Sequence, residues 1–289
     1  METSEKWANE VRVTAATPER ETALRQEYSG PLQEPYGVLD TEKTQMEIDA
    51  VGETARAVND FLQLFCGLPP LGFSPDRVHI IPREQFAAKV SKFGQGKTML
   101  GHIYLWQGLP VTDLISCLTH EMVHAAAYLS LVVREVDGRR QITCRRMGML
   151  LADPTYGLNL PHFHGLNEAV TETAAVGVRH VLAARLPHLL GPDQQHSLCA
   201  TVHYECAVTL IDRIVAKLAG NGSETNEIWK TLFLDHIKGT DAFLALLDAR
   251  LPGATDVLRC TGARPDEVAP ALEKLGFPSE AAMTRSLMG

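Results

Sequence analysis

Residues 40–65 carry apolar side chains at helical spacing. Met46, Ala50, Val51, Ala55, Val58, Phe61, Leu62 and Phe65 fall near one face, and Gly67 offers a stop. A scaffold helix is predicted there. Shorter runs of β-branched and aromatic residues follow at 78–81, ahead of Pro82, and at 101–106, closed by Gly108 and Pro110. Between residues 114 and 133 the chain is almost wholly apolar, and only Glu121 carries a formal charge. That length raises the question of a membrane span. Its polar residues sit in the middle, however, and no second apolar run of comparable length exists to partner it. A soluble helix covered on every side is the simpler prediction, built on Leu114, Ile115, Leu118, Met122, Val123 and Ala126 and capped by Thr112 or Asp113 after Pro110.

Beyond it, residues 132–142 contain Val-Asp-Gly-Arg, a tight-turn signal between two polar strand-like runs, so a hairpin is predicted. Pro154, Gly157, Pro161 and Gly165 then interrupt the chain. Helix resumes at Asn167 and recurs at 195–217, 224–237, 241–249 and 265–275, punctuated by Gly220, Gly222, Gly239, Pro252, Gly253 and Pro278. Residues 1–38, charged and broken by Pro18, Gly30, Pro31, Pro35 and Gly37, read as a flexible N-terminal arm. The expected fold class is α+β and predominantly helical. A single domain spans 39–289, with a strand-bearing upper half over 39–165 and a helical lower half over 166–289.

Composition narrows the function classes. With 289 residues, 45% hydrophobic and 21% charged, the chain can bury a large core and is not broadly disordered. A formal net charge of −8 lacks the basic surface that nucleic acid or an anionic membrane requires, so neither is expected as a partner. Arg134, Arg139, Arg140, Arg145 and Arg146 read as the solvated face of the hairpin. Gly94-Gln95-Gly96-Lys97 lacks the full spacing of a phosphate-binding loop. The N-terminus has no apolar signal-peptide core, which makes cytoplasmic residence the expectation. Six cysteines without a C-x-x-C pair are expected to be reduced, and Cys117 to be a small buried hydrophobe.

The chemistry concentrates in His120-Glu121-Met122-Val123-His124. On a helix the i, i+4 spacing projects both imidazoles from one face, about 6 Å apart at Cβ, where two neutral rings can bind one Zn²⁺. Glu121, rotated one residue away, lies beside the open metal position and can take a proton from water there. A hydrolytic zinc site needs a third protein ligand. The position six residues after His124, where one class of zinc peptidase places a further histidine, is Ser130. A carboxylate alternative occurs in Asn167-Glu168-Ala169-Val170-Thr171-Glu172, where Asn167 can cap a helix and Glu168 and Glu172 share a face.

His-Glu-x-x-His followed by Asn-Glu-x-x-Thr-Glu resembles the gluzincin metallopeptidases, the thermolysin-like clan, over about 60 residues from Leu114 to Ala175. The resemblance implies that His120, His124 and Glu168 are the zinc ligands and Glu121 the general base. It implies that Glu172 is the outer carboxylate orienting the first histidine, in agreement with the acceptor that a ligating imidazole requires. It further implies a zincin-like fold, with a small sheet above the metal helix, and a Tyr or His that stabilises the oxyanion. Tyr204 is the first choice, with His203 and His164 as alternatives. His102 and Tyr104, on the strand just before the metal helix, are the candidate substrate-binding edge. The expected function is a Zn²⁺-dependent metallopeptidase acting on a peptide or protein. The rivals are a zinc-binding regulatory protein without turnover and a zinc amidohydrolase acting on a non-peptide amide.

Overall fold

Thr44 begins the scaffold helix with a reciprocal cap. Its hydroxyl accepts from the Glu47 backbone N–H at 3.3 Å, and the Glu47 carboxylate accepts from the Thr44 N–H at 2.7 Å. Gly67, at φ 64°, ends it by donating to the Gln63 carbonyl, so the helix runs Gln45–Cys66 rather than from residue 40. These details come from a computed structural model describing residues 10–29, 34–38, 40–92, 94–152, 162–220 and 222–288. The chain is mixed α and β, 59% helical with small sheets, which fits the α+β expectation.

In chain order the elements begin with β1 (Glu10–Thr14), α1 (Pro18–Ser29), α2 (Gln45–Cys66), β2 (Val78–Ile81), the short α3 (Arg83–Gln85), β3 (Gly96–Met99) and β4 (His102–Trp106). Next come α4 (Val111–Ala126), β5 (Leu129–Val136), β6 (Arg139–Met147), β7 (Leu150–Leu151), α5 (His164–Arg185) and α6 (Pro192–Ala200). The C-terminal helices are α7 (Glu205–Ala219), α8 (Thr225–Lys238), α9 (Ala242–Arg250), α10 (Ala254–Arg259), α11 (Pro265–Lys274) and α12 (Pro278–Ser286). By contact the chain divides into two compact units. One comprises the residues up to Cys144 with Ala174–Thr201, the other Arg145–Thr173 with Val202–Gly289. These units interleave along the chain, where the sequence reading draws a single cut at 165/166.

In the first unit a three-stranded sheet has the order β2-β4-β3, with β4 parallel to β2 and antiparallel to β3. Register opposes Gly96 to Leu105, Thr98 to Ile103, Lys97 to Tyr104 and His79 to Tyr104. Successive side chains alternate across a sheet. Gly96, Thr98, Ile103 and Leu105 therefore share one face, and His79, Lys97, His102 and Tyr104 share the other. Gly96 and Thr98 both meet Glu121, so the first face lies on α4.

α4 starts at Pro110, whose carbonyl accepts from Leu114 N at 2.8 Å and whose side chain makes no cap bond. Thr112 and Asp113 are thus first-turn residues, not the cap, because proline already presets the entry dihedral. Every residue from Leu114 to His124 is buried. Leu114, Ile115, Leu118 and Met122 contribute roughly 1.5–3 kcal/mol each by burial, which outweighs the desolvation of the polar triplet among them. The apolar run read over 114–133 is this helix followed by β5, and among the described residues no helix is long and apolar enough to cross a membrane.

The stretch read as an arm contains regular structure. β1 pairs in parallel with β5 from Glu10↔Ser130 to Thr14↔Arg134, at the end of a sheet of order β1-β5-β6-β7. Val11, Val13 and Leu24 are buried with Val133, and Arg20 holds Glu135 at 2.7 Å. Apolar alternation in Val11 and Val13 supplies the reason: a five-residue strand buries one face once β5 is present. The hairpin turn falls at Asp137 (φ 51°) and Gly138 (φ 71°) as expected, and Arg140 on its second strand pairs with Glu27 and Glu135. Gly30, Pro31, Pro154, Gly157 and Pro161 lie outside the described residues.

The helix expected over 195–217 is divided into α6 and α7. Arg179 Nη2 donates to the Thr201 carbonyl at 2.7 Å, and Glu172 Oε1 accepts from the His203 backbone N–H at 2.8 Å. These side chains satisfy backbone groups that a continuous helix would have paired internally, and Tyr204 turns the chain at φ 54°.

Candidate metal centre

Two turns into α4, His120 and His124 point from one face with their rings edge to face, centroids 4.7 Å apart and planes at 79°. Glu168 enters from the first turns of α5. One nitrogen of each histidine and one carboxylate oxygen of Glu168 all lie within 4.8 Å of one another, and the three residues are only 6–7% exposed. Two imidazoles and one carboxylate, buried and close together, form a group that could hold a metal ion. Among the described residues this is the one group of three or more His, Cys, Asp or Glu that could hold a metal ion.

α5 is placed by its N-terminus. Phe163 N donates to the Arg259 carbonyl and Gly165 N to the Thr261 carbonyl, both at 3.0 Å, and a Cβ at Gly165 would collide with the Gly262 carbonyl oxygen. Asn167 does not cap this helix, which begins three residues earlier at His164. Its buried side-chain oxygen instead accepts from the N–H groups of Met149 and Leu150, at 3.0 and 3.3 Å. One turn before Glu168, His164 Nε2 sits 3.7 Å from Glu168 Oε1, at the exposed rim of the centre.

Glu121 is 9% exposed and tied to the sheet. Thr98 Oγ1 lies 2.8 Å from its Oε2 and 2.9 Å from its backbone oxygen. Cys117, one turn earlier on α4, is buried and its thiol donates to Gln95 Oε1 at 3.2 Å. β3 and the residue before it are therefore held to α4 on both sides of Gly96, a contact between distant residues that no local spacing in the sequence announces.

Glu172 is fully buried one turn beyond Glu168, and one of its oxygens receives the His203 N–H. Tyr204, the first choice for the oxyanion donor, caps α7 in the left-handed region and is 42% exposed. Of its two alternatives, His164 lies beside the candidate ligand Glu168, and the backbone N–H of His203 donates to Glu172.

The candidate substrate edge must be corrected. β4 is hydrogen-bonded to β2 and β3 on its two sides, so it offers no edge, and His102 and Tyr104 are buried on the face turned away from α4. They belong to a polar layer with Glu34 and Asp40. His102 Nδ1 and His79 Nε2 share a proton at 2.9 Å, His79 Nδ1 reaches Asp40 at 2.9 Å, and the Tyr104 hydroxyl donates to Glu34 at 2.6 Å. Burial, then the Glu34 hydrogen bond, drives the Tyr104 phenol well above its ordinary range. Burial also pushes the Glu34 carboxyl up, but hydrogen bonds from Tyr104 and from the N–H groups of Tyr36, Val38 and Gly37 outweigh it and leave the group below its ordinary value. Among the described residues the outer strand next to α4 is β3.

No protein-family model matches the chain, and no curated protein or solved structure matches it.

Proposed function

We propose that the protein is a zinc-dependent hydrolase that cleaves peptide bonds at His120, His124 and Glu168. The observation that carries this reading is the convergence of those three buried donors with Glu121 one residue from the first of them on the same helix. A purely structural zinc site closes its fourth position with another Cys or His, and among the described residues none joins this group. Bound there, the cation supplies Lewis acidity, which polarises the scissile carbonyl and acidifies water.

The chain's own groups do the rest. Glu121, as general base, takes the proton from the attacking water and afterwards returns it to the departing amine. Glu172 is the acceptor proposed to fix a ligating imidazole. β3, the outer strand of its sheet among the described residues, supplies the edge on which an extended peptide can add as a further strand, in place of His102 and Tyr104. His164, whose Nε2 lies 3.7 Å from Glu168, is the donor we assign to the negative charge developing on the carbonyl oxygen, with Tyr204 and His203 as alternatives.

The test is cleavage of a mixed set of quenched peptides by the zinc-reconstituted chain. Turnover that E121Q lowers by about 10²–10⁴-fold, with zinc content unchanged, is the expected result. Equal turnover by wild type and E121Q refutes the assignment. Cleavage of small N-acyl amides but of no peptide moves the substrate class to the amidohydrolase alternative.

A further inference from the structure

Thr98 and Gly96 are alternate residues of β3, on the face laid against α4, and both abut Glu121. Thr98 is 8% exposed, so its hydroxyl has little access to water. That hydroxyl carries one proton and two acceptors lie within reach, Glu121 Oε2 at 2.8 Å and the Glu121 backbone oxygen at 2.9 Å. Both belong to one residue, so whichever the hydroxyl chooses it holds β3 to the same turn of α4. A hydrogen bond to a carboxylate is the stronger of the two, which favours Oε2.

The other carboxylate oxygen is bounded differently. A Cβ built on Gly96 would stand 3.2 Å from Glu121 Oε1, 3.0 Å from its Cγ and 3.0 Å from Leu105 Cδ2. A side chain at residue 96 would therefore crowd Oε1, and the Glu121 side chain or Leu105 would have to give by a few tenths of an ångström. The two residues constrain the carboxylate from two directions: Thr98 anchors Oε2, and Gly96 leaves Oε1 clear to face a proton donor.

We propose that Thr98 is a positioning residue for the hydrolytic reaction, holding the Glu121 carboxylate in its working orientation, with Gly96 as the gap that this orientation needs. This rests on the hydrolase reading above. A general base acts only within hydrogen-bond reach of the proton it abstracts, and a displacement of about 1 Å can lower turnover about 100-fold. Removing the hydroxyl frees the carboxylate to swing, and filling the gap at residue 96 pushes it aside. Either change moves the base without touching His120, His124 or Glu168, so zinc binding is retained.

The experiment uses the full zinc-reconstituted chain and four variants, T98V, T98S, G96A and E121Q. Each is assayed for zinc content, for kcat and KM on a peptide the wild type cleaves, and by crystallography for the Glu121 side chain. T98V is expected to lower kcat about 10- to 100-fold and G96A at least about threefold, with KM within about twofold and one zinc per chain. T98S is expected to restore kcat to within about threefold of wild type, because serine keeps the donor. In crystals, Glu121 Oε2 should leave β3 in T98V and remain on it in T98S. If T98V does not fold, the contrast between T98S and G96A decides on the same criteria. Wild-type kcat in T98V or G96A while E121Q is inactive overturns the Thr98 assignment and leaves the hydrolase reading standing. An E121Q as active as wild type overturns the hydrolase reading and Thr98's role with it.

Discussion

Glu172 is a fully buried carboxylate one helical turn beyond a metal-ligand candidate, with one oxygen committed to the His203 backbone N–H. A buried acid is expensive unless its oxygens are matched by donors. The N–H of a ligating imidazole is the match proposed for the remaining capacity, and that link fixes the ring's tautomer and direction. E172Q keeps the shape and an acceptor for His203 but loses the charge, so zinc affinity should fall about 10- to 100-fold in a competition titration. Unchanged affinity would remove Glu172 from the centre. Helical spacing pairs His120 with His124 and Glu168 with Glu172, and the gluzincin resemblance, not spacing, is what joins the two pairs into one candidate site. Thr98, Gly96 and Gln95 were not legible in the sequence, since a strand laid across a helix joins residues more than twenty apart with no periodic signal.

α5 is set by a backbone contact more than by its side chains. The Gly165 N–H reaches the Thr261 carbonyl at 3.0 Å, and any Cβ at residue 165 would strike the Gly262 carbonyl oxygen. G165A should therefore destabilise the fold by about 1–3 kcal/mol or more and lower the melting temperature, whereas alanine at a helix position with room would stabilise it. A melting temperature equal to wild type would show that this contact does not set the helix. The three-stranded sheet carries a different dependence, through Tyr104 and Glu34. The Tyr104 phenol is raised by burial and by Glu34, so its contribution is complete below its ordinary pKa of 10.0 and is lost as pH rises beyond it. The Glu34 carboxyl is lowered, so its contribution is complete above its ordinary 4.5 and is lost as pH falls through the lowered value. Y104F should cost about 1 kcal/mol at pH 7, near the low end for a bond to a charged group because Glu34 is partly exposed, and should flatten the alkaline limb of urea-unfolding stability. Parallel alkaline limbs in the two proteins would contradict this. The sequence showed these runs as strands but not which was central, because β-character in 78–81 and 101–106 says nothing of pairing order. It likewise read one helix over 195–217, where Arg179 and Glu172 intervene from α5.

A metal held by His120, His124 and Glu168 would link binding to folding, since residues so far apart in sequence come together only in the folded chain. Zinc at 100 times its dissociation constant should add about 2.7 kcal/mol, and a chelator should reverse the gain. A chain of this size responds with roughly 2–4 °C in melting temperature per kcal/mol. A melting temperature indifferent to both zinc and chelator would argue against a site built from the folded chain. The most direct test counts the ion itself: zinc per chain, measured by elemental analysis after reconstitution and gel filtration, in wild type, H120A and E168A. One equivalent on wild type, with most of it lost from either variant, is the predicted result. No zinc on wild type, or a full equivalent on E168A at undiminished affinity, would contradict the His120–His124–Glu168 centre.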